Sequence, residues 1–267
     1  MCLETNLIFL INNFFTMAKQ KGILPIKGTI GNITFYKSKD GFLVREKGGV
    51  DAKRIANDPA FQRTRENGFE FGRACSAGKL LRTAFRTILQ HASDSKMVSR
   101  LTREMMRVIQ ADETNSRGAR NVIDGEAALL RGFEFNENAK LTTTLFAPFT
   151  AGINRATGEL KIDIASFVPG NVITAPTGST HFKIVSGGSE IDFEGNKYTV
   201  DSKSTAELPW DDTAMAAITL TNNVPAGSTH PLFLSLGVEF FQEVNGKRYP
   251  LKNGAFNALA LVEVSGA

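Results

Sequence analysis

The chain has 267 residues, 42% of them apolar and 22% charged, and carries a net charge of +4. That composition suits one large globular domain or two modest ones and excludes collagenous or disordered architectures. Two cysteines, Cys2 and Cys75, in unlike contexts exclude a disulfide framework or a zinc site and fit a reducing compartment.

The opening MCLETNLIFLINNFFT lacks the basic start of a signal sequence, since Glu4 is the only charge before Lys19. A membrane helix needs about 20 apolar residues in a row, and the short run Leu7–Ile11 does not supply them, so no membrane span is expected. Residues 1–16 read as a disordered leader or an upstream mis-start, with Met17 opening the polar MAKQKG.

Residues 17–52 predict a β-hairpin arm. Ile33 and Phe35 alternate with polar residues, Asp40-Gly41 is a turn signal, and Phe42 and Val44 begin the return strand. A single hairpin is only marginally stable in water. The arm should therefore dock elsewhere or add strands to a neighbour's sheet.

Residues 53–132 predict a basic helical module. Asp58 and Pro59 give a helix start, and Phe61, Gly68, Gly72 and Cys75 follow on one stripe. Beyond Gly78 the apolar set moves to Leu81, Phe85, Ile88 and Leu89, which predicts a break near Ala77-Gly78. Cys75 is expected as a small buried residue. A second amphipathic helix is predicted over Ser95–Gln110, with Met97, Leu101, Met105 and Val108 inward. Ala111–Gly118 reads as a loop, followed by a short third helix.

Residues 133–267 change to strand rhythm: LTTTLFAPF, ELKIDIASF, THFKIVSG, MAAITLTNN, LFLSLGVEFFQEV and FNALALVEV, separated by Gly- and Pro-bearing turns. This predicts an α+β protein whose C-terminal part is an antiparallel β-sandwich, jelly-roll or immunoglobulin-like. Charge divides the same way. Residues 1–50 hold seven Lys/Arg and three Asp/Glu, residues 51–132 fifteen and ten, and residues 133–267 nine and fourteen. A basic front precedes an acidic back.

Catalytic signatures do not emerge. His91, His181 and His230 have no metal-ligand spacing, and neither a nucleophile elbow nor a phosphate loop is present. Glu190, Asp192 and Glu194 alternate on an expected strand and read as a solvated face. Trp210 in a loop reads as an anchor to the core. No catalytic, cofactor or metal residues are expected, and the chain reads as a non-enzyme.

From Phe61 to Arg107 there are ten Lys/Arg, eight of them Arg, against four Asp/Glu. Arg grips phosphate in a bidentate fork, so a nucleic-acid partner is a legitimate second reading. Against it, Arg65 and Arg86 lie near the glycine stripe while Arg63 and Arg73 lie well round the helix, and the C-terminal half is acidic. A helical glycine costs about 1 kcal/mol relative to Ala, and Gly68 and Gly72 are tolerable if another backbone approaches there. The first reading is therefore a structural or assembly protein, self-associating or binding an acidic protein surface. The contact residues predicted are Arg65, Gly68, Gly72, Arg73, Arg82 and Arg86 on the helix, with Tyr36 and Phe42 on the arm. A cytoplasmic or particle-associated location, such as a phage-like or surface particle, is expected.

The segments KGTIGNITFYKSKDGFLVREKGG and DPAFQRTRENGFEFGRACSAGKLLRTAFR resemble a group of Bacteroidota proteins that pair a Gly-rich hairpin and an Arg-rich helix with a β-rich C-terminal half. The resemblance covers Met17 to about Leu89 well and the remainder in outline. It implies this architecture and no particular chemistry.

Overall fold

In the computed structural model the described residues are 18–20, 26–38, 41–46, 49–92 and 94–266. The expected leader 1–16, the start at Met17 and Asp40 of the arm's turn lie outside them. Helices combine with antiparallel sheets, so the protein is α+β as its sequence predicts. The chain divides into two compact units after Gln62. That cut falls inside the run expected as one helical module over residues 53–132.

The first unit is a four-stranded antiparallel sheet in place of a lone hairpin. Strands β1 (Ala18–Lys19), β2 (Gly28–Ile30), β3 (Ile33–Ser38) and β4 (Gly41–Glu46) lie in the order β1-β4-β3-β2. The two-residue turn Gly31-Asn32 joins β2 to β3, with Gly31 in the left-handed region that such turns favour. Helix α1 (Ala52–Asn57) follows, and then a 3-10 turn over Pro59–Phe61, whose first amide is capped by the Asp58 carboxylate at 2.9 Å. Among the described residues of this unit only Leu43 is buried.

The second unit starts at Arg63, within helix α2 (Gln62–Ala84), which is followed by α3 (Arg86–Leu89) and α4 (Met97–Gln110). Helix α2 runs unbroken past Ala77-Gly78, and the interruption comes at Phe85 instead. The reason is packing. A Cβ at Gly78 would stand 3.6 Å from the Leu101 side chain, so Gly78 lies on the face that meets α4, and Ala74, Ala77, Leu81 and Ala84 continue that buried face. The apolar shift marks a change of buried side, not a break. In α4 the inward residues are those its periodicity predicts, with Ile109 added.

Residues expected to open the strand-rich part, Leu141–Thr144, form a helical turn, α5. The Glu134 carboxylate accepts from the Leu141 amide at 2.9 Å, which favours that turn over a strand. A three-stranded sheet then assembles from β5 (Phe149–Asn154), β6 (Glu159–Ile164) and β10 (Ile218–Asn223), in the order β10-β6-β5. Between β6 and β10 come helical turn α6 (Pro169–Val172), β7 (His181–Asp192), β8 (Lys197–Ser204) and β9 (Leu208–Pro209). With β11 (Leu232–Val244), β12 (Lys247–Pro250) and β13 (Ala258–Ser265), strands β7, β8 and β9 make a six-stranded antiparallel sheet.

Strand β11 explains the layering. Its first ten residues are all buried, so both faces of the large sheet are covered. Leu232, Leu234, Leu236, Val238 and Phe240 share one apolar cluster with Leu160, Ile162, Ile164 and Leu220 of the three-stranded sheet. Phe233, one residue out of phase, joins Leu81, Phe85, Leu101 and Met105 of the helices. Period-two alternation thus sends adjacent residues into different cores, and each fully buried Leu or Phe contributes about 1.5–3 kcal/mol. Two glycines admit the layers. A Cβ at Gly187 would come 2.9 Å from Ile88 on the helical side, and one at Gly188 would come 2.8 Å from Asn222 on the other.

Candidate functional site

The outward face of α2 decides what this helix can do. Arg65, Gly68, Gly72, Cys75, Lys79 and Arg82 recur at steps of three and four and form one stripe, which Arg86 continues beyond the interruption. The stripe lies opposite the buried face of Glu70, Ala74, Ala77 and Leu81. Apart from the helix's own neighbouring backbone, no described residue stands within 4 Å of where a Cβ would sit at Gly68 or Gly72. Phe69 and Phe71 flank the glycines on either side and are 61% and 55% exposed. Cys75, expected to be buried, is half-buried.

On the Phe69 side the bare helix forms one wall of a groove of about 790 Å³. Leu80 and Ala77 lie deeper in it, Val122 and Ile123 form the facing wall, and Phe193 closes it from the β7–β8 turn. Its charged rim residues, besides Arg73, are Asp124 and Glu194.

The facing wall is held by a satisfied polar network. Asp112 is buried and accepts from the backbone amides of Thr114 and Asn115 at 2.9 Å and of Asn121 at 3.0 Å, and from the Asn115 side-chain amide at 3.0 Å. Burial works to raise its pKa, but the hydrogen bonds from Asn115, Asn121 and Thr114 outweigh it and hold it at about 2. Asp124 accepts from the side-chain amides of Asn115 and Asn121 at 2.8 and 2.7 Å. From the helix, buried Glu70 accepts the Gly118 amide at 2.8 Å, while Arg73 donates to the carbonyls of Gly118 and Arg120 at 2.6 and 3.0 Å.

The predicted contact residues therefore separate. Arg65, Gly68, Gly72, Arg82 and Arg86 share the outward stripe, whereas the guanidinium of Arg73 is turned to the loop 118–120. Arg82 donates back to the Gly78 carbonyl at 3.2 Å. On the arm, Tyr36 pairs with Leu43 and Phe42 with Lys37. Adjacent register positions alternate faces, so Tyr36 and Phe42 occupy opposite faces of the sheet. Arg45 lies over the Tyr36 ring at 5.5 Å and Lys37 over the Phe42 ring at 5.6 Å.

Elsewhere several charges are paired. Arg103 and Arg107 both pair with Glu104, Arg100 pairs with Asp94 and with Glu137 at 3.3 Å, and Arg131 pairs with Glu263 at 3.1 Å. The alternating acids do not form one face: Glu190 accepts from the Ser228 hydroxyl, Asp192 accepts the Glu194 and Gly195 amides across the turn, and Glu194 lies beyond the strand. His181 sits beside Glu243, and His230 lends its carbonyl to Arg155. Trp210 packs against the inter-sheet core and donates to the Ile173 carbonyl at 3.1 Å, anchoring its loop. Among the described residues no group of three or more His, Cys, Asp or Glu is placed to hold a metal ion, and no helix is long and apolar enough to cross a membrane.

Sequence reasoning missed Phe69, Phe71, Ile123 and Phe193. The first pair had a signal, because in NGFEFGR each Phe falls on a different side of the Gly68–Gly72 stripe. The second pair had none, since only the folded loops bring residues 123 and 193 to α2. No protein-family model, curated protein or solved structure matches the chain.

Proposed function

We propose that this chain is a non-enzymatic assembly protein that binds further copies of itself, serving as a subunit of a larger particle. The observation that carries this reading is the outward face of α2, where Phe69 and Phe71 stand exposed beside two helical glycines that no described residue covers. Exposed aromatics of that size mark interaction surfaces, and helical glycines that cost about 1 kcal/mol each are retained where a partner approaches. A second copy is the occupant because the chain joins an acidic back to a basic front, so successive copies present opposite charge to one another. A head-to-tail contact of that kind generates rings or filaments. On this reading the two sheets form a β-sandwich whose outer face is covered by the helices and serves as the rigid body of the subunit.

The test is light scattering on the purified full chain over a wide concentration range at low salt. Growth in mass with concentration supports the proposal, and a monomer throughout overturns it.

A nucleic-acid backbone is the second reading, favoured by the line Arg65, Lys79, Arg82 and Arg86 on one stripe. It predicts binding that falls steeply with salt and weakens on Arg82→Ala or Arg86→Ala. The pairing of the α4 arginines with carboxylates argues against it.

A further inference from the structure

The apolar groove has a counterpart in the same sequence. At the tip of the β2–β3 hairpin Ile30 and Ile33 are cross-strand partners and are 65% and 45% exposed. Ile26 on the approach to β2 is exposed as well, and Leu43 is the only buried residue among those described in the arm. A small sheet with so little burial lacks the apolar cover that makes such structures stable in water. Charge is complementary. The described arm carries Lys19, Lys27, Lys37 and Arg45 against Glu46 and Asp51, whereas Asp124 and Glu194 rim the groove and the guanidinium of Arg73 is already engaged by two carbonyls. Strand addition to the large sheet is the weaker alternative for a basic arm, because edge strand β8 carries Lys197 and Lys203, which discourage pairing there.

We infer that the Ile30–Ile33 hairpin tip of one copy seats in the groove between α2 and the 121–124 loop of a second copy. This rests on the self-association proposed above and names its two surfaces. The tip is apolar and ends in a tight turn, so it suits a groove walled by Gly68 and Gly72 on one side and Ile123 on the other. The contact is heterologous: each copy offers one tip and one groove, and growth continues until a ring closes.

The experiment uses two full-length double variants. Ile30→Asp with Ile33→Asp disables the tip, and Gly72→Gln with Ile123→Asp disables the groove; the substituted side chains lie outside both buried cores. Each variant alone is expected to remain monomeric where the unmodified chain assembles. Mixed in equal amounts they are expected to form a 1:1 dimer that does not grow, because one sound tip meets one sound groove. Circular dichroism on each variant checks that the fold is kept. If the tip variant assembles as the unmodified chain does, or the mixture stays monomeric while the unmodified chain assembles, the tip is not the occupant and this inference falls while self-association stands. If the unmodified chain itself stays monomeric, both fall.

Discussion

Arg73 donates to the carbonyl of Gly118 at 2.6 Å across 45 residues of sequence, and this bond ties the helix to the loop that faces it. The same nitrogen reaches the Arg120 carbonyl, and Glu70 one turn earlier takes the Gly118 amide. Gly118 has φ +87°, and a Cβ there would stand 2.9 Å from the Glu66 side chain, so the loop backbone is fitted closely to α2. The groove is thus built from a helix and a loop that specify each other.

Replacing Arg73 with Ala should cost about 1–2 kcal/mol, the scale of hydrogen bonds from a charged donor with allowance for exposure. Faster amide exchange around residues 118–121 is the expected local signature. Arg73→Lys should recover only part, since an ammonium lacks the guanidinium's fork. Arg86→Ala, on the exposed stripe, should stay within about 0.5 kcal/mol of the unmodified chain.

The glycines of the outward stripe should separate stability from assembly. Gly68→Ala and Gly72→Ala meet open space and should each stabilise the isolated chain by up to about 1 kcal/mol through helix propensity. Assembly should weaken at the same time, because the added methyls hold the partner off. Thermal unfolding read from the single Trp, compared with scattering on the same samples, checks both arms.

Gly188→Ala is expected to behave in the opposite way. Its Cβ would stand 2.8 Å from the Asn222 Cβ, which is rooted in the facing sheet and cannot swing aside. Overpacking of this kind costs about 1–3 kcal/mol. Denaturant unfolding should show a lowered midpoint.

Asp112 should make stability depend on acid. Its pKa is lowered in the fold from 3.8 to about 2, so the unfolded chain binds the proton more tightly than the folded one. Its contribution is full above about pH 4 and is lost as the pH falls towards 2. Asp112→Ala removes the acceptor from four donors and should cost about 3 kcal/mol at neutral pH. The variant's unfolding midpoint should fall less steeply than that of the unmodified chain between pH 4 and pH 2.

The helices and most strands were legible because their signals are local. Asp58-Pro59 announces the approach to α2, the four-residue spacing of Met97, Leu101 and Met105 gives the inner face of α4, and LFLSLGVEFFQEV is β11 from end to end. Leu141–Thr144 misled, since its strand-like composition yields to a cap from Glu134 seven residues earlier. The groove was half legible: Gly68 and Gly72 mark one wall, while Ile123 and Phe193 arrive by chain folding.

By itself the sequence determined the α+β content, the succession of a helical part by a strand-rich part and the glycine stripe, because period, caps and turns act over a few residues. Tertiary structure alone decided that Phe233 faces helices while Leu232 and Leu234 face a second sheet, since alternation fixes two faces but not what covers each. It also decided that Arg73 serves the loop and that Tyr36 and Phe42 part company. Side-chain direction and distant carbonyls settle those fates, and neither is written in the spacing of residues.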